Sequence, residues 1–185
     1  FTFWSYGVNG IRNGMGASLF ILAMTYVNRP PVMIGLCVLA VGIHKSIYLM
    51  VGAGTLTWFI KNSYWYLAGW GACVGVSYAV GGRIQAYLAA TNLMGGDNRF
   101  SGYLTGDNMV GEIVQMSMTF RWDFLLYSAM GVAVGYYFIF RRNFKDEYYH
   151  WIYNTFLVTN AFWVLVIRAA YSNRFAQISW FIMPV

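Results

Sequence analysis

The residues best suited to chemistry are one histidine and a set of arginines set in apolar sequence. His44-Lys45-Ser46 interrupts the apolar stretch Val32 to Ile60. Near neutral pH an imidazole takes up and releases a proton, so His44 is a candidate general base for an incoming hydroxyl. A hydrogen-bonded structural histidine is the alternative. Arg12, Arg168 and Arg174 stand at or inside the ends of apolar runs, where a guanidinium is costly unless paired. Few acids lie near them in sequence. Arginine presents a planar fork of donors that matches phosphate oxygens and keeps its charge when desolvated. Such arginines converging at one membrane face would suit a lipid-linked phosphate or pyrophosphate. Alternatively, each snorkels to the headgroups.

Weaker candidates lie in the polar region 83–123, which holds Arg83, Asp97, Arg99, Asp107, Glu112, Arg121 and Asp123. Asp97, Glu112 and Asp123 could act as a base, as arginine partners, or as solvated loop charges. Arg83 and Arg99 could hold an anion. Tyr103 and Trp122 could stack on sugar rings. His150 follows the Asp146-Glu147 turn, on the face opposite His44, and reads as structural. Two histidines so far apart, without flanking carboxylates or thiols, make a poor metal site. Cys37 and Cys73 lack CxxC spacing and read as small core residues. With no GxGxxG, P-loop or GxSxG present, neither a metal nor another cofactor is expected.

The elements that must position these residues are membrane helices. Of the 185 residues, 59% are hydrophobic, 20% aromatic and 10% charged, against roughly 25% charged in an average soluble domain. Such a chain is neither disordered nor able to cover an ordinary soluble globule with polar groups. Its net charge of +6 is spread singly between apolar runs, which does not fit nucleic-acid binding. At roughly 20 residues per crossing, about five or six spans fit. The expected fold is therefore all-α: one polytopic transmembrane bundle over 1–185, with short or broken helices and a long extracytoplasmic loop over 83–123.

Along the chain, Ile11 to Val27 reads as the first span, stopped by Arg29-Pro30-Pro31. The run 32–60 reads either as one long tilted helix or, preferably, as two short helices meeting at His44, with Ser46 capping the second. Tyr64 to Val80 reads as a span ended by Gly81-Gly82-Arg83. Ile84 to Ala90 and Met109 to Phe120 could be helices at the membrane surface. Further spans are expected at Phe124 to Phe140 and Tyr148 to Ile167, with a last apolar segment from Phe175. Beginning at Phe1 and ending at Val185 inside apolar sequence, the chain reads as an internal piece of a longer protein.

The basic cluster Arg141, Arg142 and Lys145 points to a cytoplasmic turn, and Arg29 and Lys61 join it when the 32–60 run is broken. Arg12, Lys45, Arg83, Arg99, Arg121, Arg168 and Arg174 are then left outside, more than the inner face carries. Either the orientation is reversed or the outer arginines are held there to bind an anion. The second reading is preferred.

Three stretches resemble the EpsG-like branch of bacterial polysaccharide polymerases, which have a Wzy-like role. They are Gly10-Ile11-Arg12-Asn13-Gly14-Met15, Gly42-Ile43-His44-Lys45-Ser46, and Tyr171-Ser172-Asn173-Arg174-Phe175 leading to Pro184. The resemblance implies a multi-pass glycosyltransferase of the bacterial inner membrane. It would join repeat units carried on undecaprenyl diphosphate into exopolysaccharide, capsule or O-antigen, without metal or nucleotide sugar. It also implies that Arg12, Arg168 and Arg174 hold the pyrophosphate and that His44 is the base. Arg83 and Arg99 would bind pyrophosphate or acidic sugars. The partners would be the lipid-linked oligosaccharide, membrane lipids and other polysaccharide-assembly proteins. Two further classes fit the same residues: an anion or lipid-linked-substrate transporter, whose path the arginines would line, and a membrane O-acyltransferase, in which a histidine in an apolar run is also expected.

Overall fold

The computed structural model describes residues 11–90, 119–169 and 172–183. Every regular element among them is helical: α1 (Ile11–Thr25), α2 (Pro30–Ile43), α3 (Ile47–Phe59), α4 (Ser63–Ala90), α5 (Trp122–Tyr136, extended by the π-helical turn Tyr137–Arg141), α6 (Glu147–Leu165) and α7 (Ser172–Trp180).

Local sequence explains most of the boundaries. Pro30 and Pro31 occupy the first turn of α2, where a missing N–H costs nothing. Asp146 caps α6, its carboxylate accepting from the Tyr149 N–H at 2.7 Å, and Glu147 adds negative charge to that first turn. The run 32–60 is broken, because His44 is extended (φ −149°, ψ 122°) and ends α2. Ser46 does not cap α3, however. It sits in helical backbone geometry and its hydroxyl bonds elsewhere.

Gly81-Gly82-Arg83 does not end a helix either, since α4 runs on to Ala90. Gly81 serves close packing: a Cβ there would lie 3.1 Å from Ser77 Oγ and 3.6 Å from Arg168 Nε. Residues 83–90 and Trp122 onward are therefore helical, which trims the expected loop at both ends; 91–118 lie outside the described residues. Among those described, Trp122–Arg141 is the one helix long and apolar enough to cross a membrane by itself. At 14 and 13 residues, α2 and α3 are apolar but short. The longer α4 and α6 carry serine, threonine, asparagine and tyrosine among their apolar residues.

The chain builds two units on α6. In the first, α1 and α2 form an antiparallel pair and α3 lies along α1. Gly16 permits this approach, since a Cβ on it would meet Ile47 Cγ1 at 2.8 Å and the Ala40 carbonyl at 3.2 Å. In the second, α4 runs parallel to α6, with Ser63 bonded to His150 near their starts and Ser77 to the Val164 carbonyl near the end of α6. Gly135 on α5 leaves room for the ring of Tyr153, and α7 descends along α6.

α6 is the centre, buried along most of its length from Trp151 to Val164. It is stitched to its neighbours by hydrogen bonds. Asn160 accepts from Trp70 Nε1 at 2.8 Å and donates to Ser128 Oγ (3.0 Å) and Ser179 Oγ (2.9 Å), joining α4, α5 and α7. Thr155 bonds Thr57 at 2.9 Å, and Trp151 Nε1 donates to the Gly54 carbonyl at 2.8 Å, joining α3. Between helices in lipid the hydrophobic effect is absent, so such bonds and small-residue packing carry association.

Candidate active site

Arg12 and Asn13 sit in the first turn of α1, and His44 and Ser46 in the break between α2 and α3. Packing of Gly16 on Ile47 and Ala40 brings these two places together. Three side chains then form a chain of hydrogen bonds: Ser46 Oγ donates to Asn13 Oδ1 at 3.0 Å and lies 2.7 Å from His44 Nδ1. All three are half-buried.

Proton counting gives this arrangement two internally consistent forms. A serine hydroxyl has one proton. If it goes to Asn13 Oδ1, then His44 Nδ1 is protonated and donates to Ser46 Oγ. His44 Nε2 then keeps its lone pair and is a base. In the other form, the Ser46 N–H (3.2 Å) and O–H both donate to Nδ1, the Asn13 amide is turned, and Nε2 carries the proton. The 2.7 Å contact is common to both forms; acceptance by Asn13 Oδ1 goes with the first, and the Ser46 N–H directed at Nδ1 goes with the second. Nε2 has no hydrogen-bond partner among the described residues.

His44 titrates below the ordinary imidazole value. Burial is the larger cause, and the positive charge of nearby Arg12 is the second. Both disfavour the imidazolium and favour the neutral ring. The exposed Arg12 makes no ion pair among the described residues. A neutral acceptor nitrogen beside an uncompensated guanidinium can remove a proton from a hydroxyl while an anionic group is held next to it.

The other expected site residues are distributed differently. Arg168, just after α6, packs at Gly81, with Nη2 donating to the Tyr78 carbonyl at 3.4 Å and the guanidinium 5.6 Å above Phe120. Its Nε is buried without a partner. No contact joins this place to His44 among the described residues. Arg83 is exposed on α4. Arg174 lies in α7, and its side chain is outside the described residues. Asp97, Arg99, Tyr103 and Glu112 are also outside them.

Asp123 is bound by Arg121 through two bonds (2.7 and 3.0 Å). It is thus an arginine partner. Trp122 stacks with Tyr78 and Phe120 at 5.7 and 4.5 Å. His150 has both ring nitrogens engaged, by Ser63 Oγ at 3.2 Å and by the Phe144 carbonyl at 2.8 Å.

Sequence reasoning missed Asn13 and the hydroxyl of Ser46. Each stood beside a residue it singled out, but a bond between positions 33 apart has no local signal.

Among protein families, the model described as the EpsG family matches residues 1–185. No curated protein and no solved structure matches the chain.

Proposed function

Because the chain belongs to the EpsG family, we propose that it is a multi-pass inner-membrane glycosyltransferase, joining oligosaccharide repeat units carried on undecaprenyl diphosphate. The family gives the coarser part, a polysaccharide-polymerase-like role. The observation that supports the finer part is the hydrogen-bonded group of His44, Ser46 and Asn13, with Arg12 near enough for its charge to bear on the imidazole.

In this reading the break between α2 and α3 lies at the outer face, and residues 91–118 belong to an external loop. His44 Nε2 accepts the proton of an acceptor-sugar hydroxyl. The hydroxyl oxygen bonds to the anomeric carbon of the donor glycan, and the bond to the lipid diphosphate breaks. Arg12 offsets the negative charge that grows on the departing diphosphate. Arg168, with its unpartnered Nε, and Arg174 are further cations for the same lipid-linked substrate, and Arg83 and Arg99 would hold its pyrophosphate or acidic sugars. No step requires a metal.

The test is transfer of lipid-linked repeat units by the purified, reconstituted protein. The expected result is loss of polymer with His44→Ala and Arg12→Ala. Polymer of unchanged length and yield in both variants would overturn the assignment. Anion flux through vesicles, abolished by the same arginine change, would favour a transporter instead.

A further inference from the structure

A second polar site lies at the far end of α1 from His44. The 15 residues of α1 span about 22 Å. Beyond them, Asn28, the end of α3 and the first turns of α6 enclose a cleft of about 490 Å³. Its rim carries Lys61, Lys145 and Glu147. Lys61 and Glu147 pair with each other at 3.1 Å. Lys145 makes no ion pair among the described residues and is the uncompensated charge of the cleft.

At its base is Asn154, 1% exposed. Its Nδ2 donates to the Lys61 carbonyl at 3.3 Å, while its Oδ1 is buried without a partner. A buried acceptor left unmade costs about 1–3 kcal/mol, and among the residues lining the cleft this oxygen is the unanswered polar atom. Trp58 and Trp151 wall the same cleft, and they also wall an apolar slot of about 140 Å³ that runs between Phe20, Met24, Met33 and Cys37. The cleft and the apolar slot thus share two indole rings as walls.

We propose that this paired cleft and slot bind an anionic glycerophospholipid: phosphate at Lys145, a headgroup hydroxyl on Asn154 Oδ1, and the start of an acyl chain along Met33 and Cys37. A free sugar phosphate would fill the cleft but leave the slot unused, and a zwitterionic lipid would not answer the lone positive charge. The site is separate from His44 and does not depend on the glycosyltransferase reading.

The test uses the full chain, purified and exchanged into mixed detergent with phosphatidylglycerol or phosphatidylcholine, with retained lipid counted by native mass spectrometry. Phosphatidylglycerol should be retained about tenfold over phosphatidylcholine, and Lys145→Glu should remove that preference, as expected for a charge-assisted bond. Asn154→Leu should lower retention of phosphatidylglycerol towards that of phosphatidylcholine. Lys145 is exposed, so its variant remains informative if the buried substitution does not fold. Equal retention of the two lipids, or an unchanged preference in Lys145→Glu, would overturn the proposal. So would displacement of phosphatidylglycerol by an equal concentration of glycerol 3-phosphate, because the chain would then contribute nothing.

Discussion

His44 and His150 stand in contrasting surroundings, and the contrast separates a reactive imidazole from a structural one. His150 is held on both ring nitrogens, by Ser63 and by the Phe144 carbonyl, near the Lys61–Glu147 pair. Its ring ties the start of α4 to the turn before α6. Among the described residues His44 is held on one nitrogen only, its hydroxyl partner is itself fixed by Asn13, and its titration is lowered by burial and then by a cation. Residue type is the same in both places. What differs is how many of the ring's hydrogen-bonding sites the fold has already used.

The largest effect expected from this contrast is on transfer of repeat units. His44→Ala should lower it by about 100-fold or more, the scale of general base catalysis, while His150→Ala should leave the rate per folded molecule within a few fold. Equal losses in the two variants would erase the distinction.

Removing the bonds at the centre should act on stability instead. Asn160→Leu orphans Trp70 Nε1 and leaves Ser128 and Ser179 without their shared donor. A loss of about 1–2 kcal/mol is expected, read from denaturant unfolding, with the pH profile of transfer unchanged.

The imidazole-holding chain offers a finer probe. Asn13→Leu should leave His44 in place but release the Ser46 hydroxyl proton toward Nδ1, turning Nε2 from acceptor to donor. About tenfold slower transfer is expected, an estimate set at the low end of base-catalysis effects, with Asn13→Gln or Asn13→Asp recovering part of it.

The pH dependence follows the same logic. Activity requires neutral His44. Since burial and Arg12 both lower its titration, activity should fall only as pH drops below the ordinary imidazole value, and the midpoint should move upward in Arg12→Gln. A midpoint unmoved by that change would separate Arg12 from His44.

The smallest effect is expected at the opposite end. Lys61 and Glu147 are both exposed, and such pairs contribute about 0–1 kcal/mol. Lys61→Met should shift stability by less than 1 kcal/mol and the shift should vanish in high salt.

Much of the element order is legible along the chain. Pro30-Pro31, Asp146 and the extended residue at His44 act through backbone geometry that local sequence controls. The stop expected at Gly81-Gly82-Arg83 failed because a glycine pair is ambiguous there: it can end a helix, or it can make room for a neighbour. Here the helix continues, with Gly81 packed against Ser77 and Arg168. Ser46 failed as a cap for a related reason, since its hydroxyl had a better use with His44 and Asn13. Asp123 was open between base and arginine partner until the bond to Arg121 resolved it.

Composition by itself determined that this is an apolar, lipid-suited chain with more arginine and lysine than acid and only two histidines, because hydropathy and charge are sums over residues and need no fold. The family resemblance was also carried by local stretches, and the family match covers residues 1–185. Only tertiary structure decided that Arg12 and His44 adjoin while Arg168 packs elsewhere, that His150 is occupied, and that a cleft with an unanswered Asn154 oxygen lies at the other end. Each depends on which helix faces which, and that is set by small residues such as Gly16 and Gly81 and by hydrogen bonds between positions far apart in sequence.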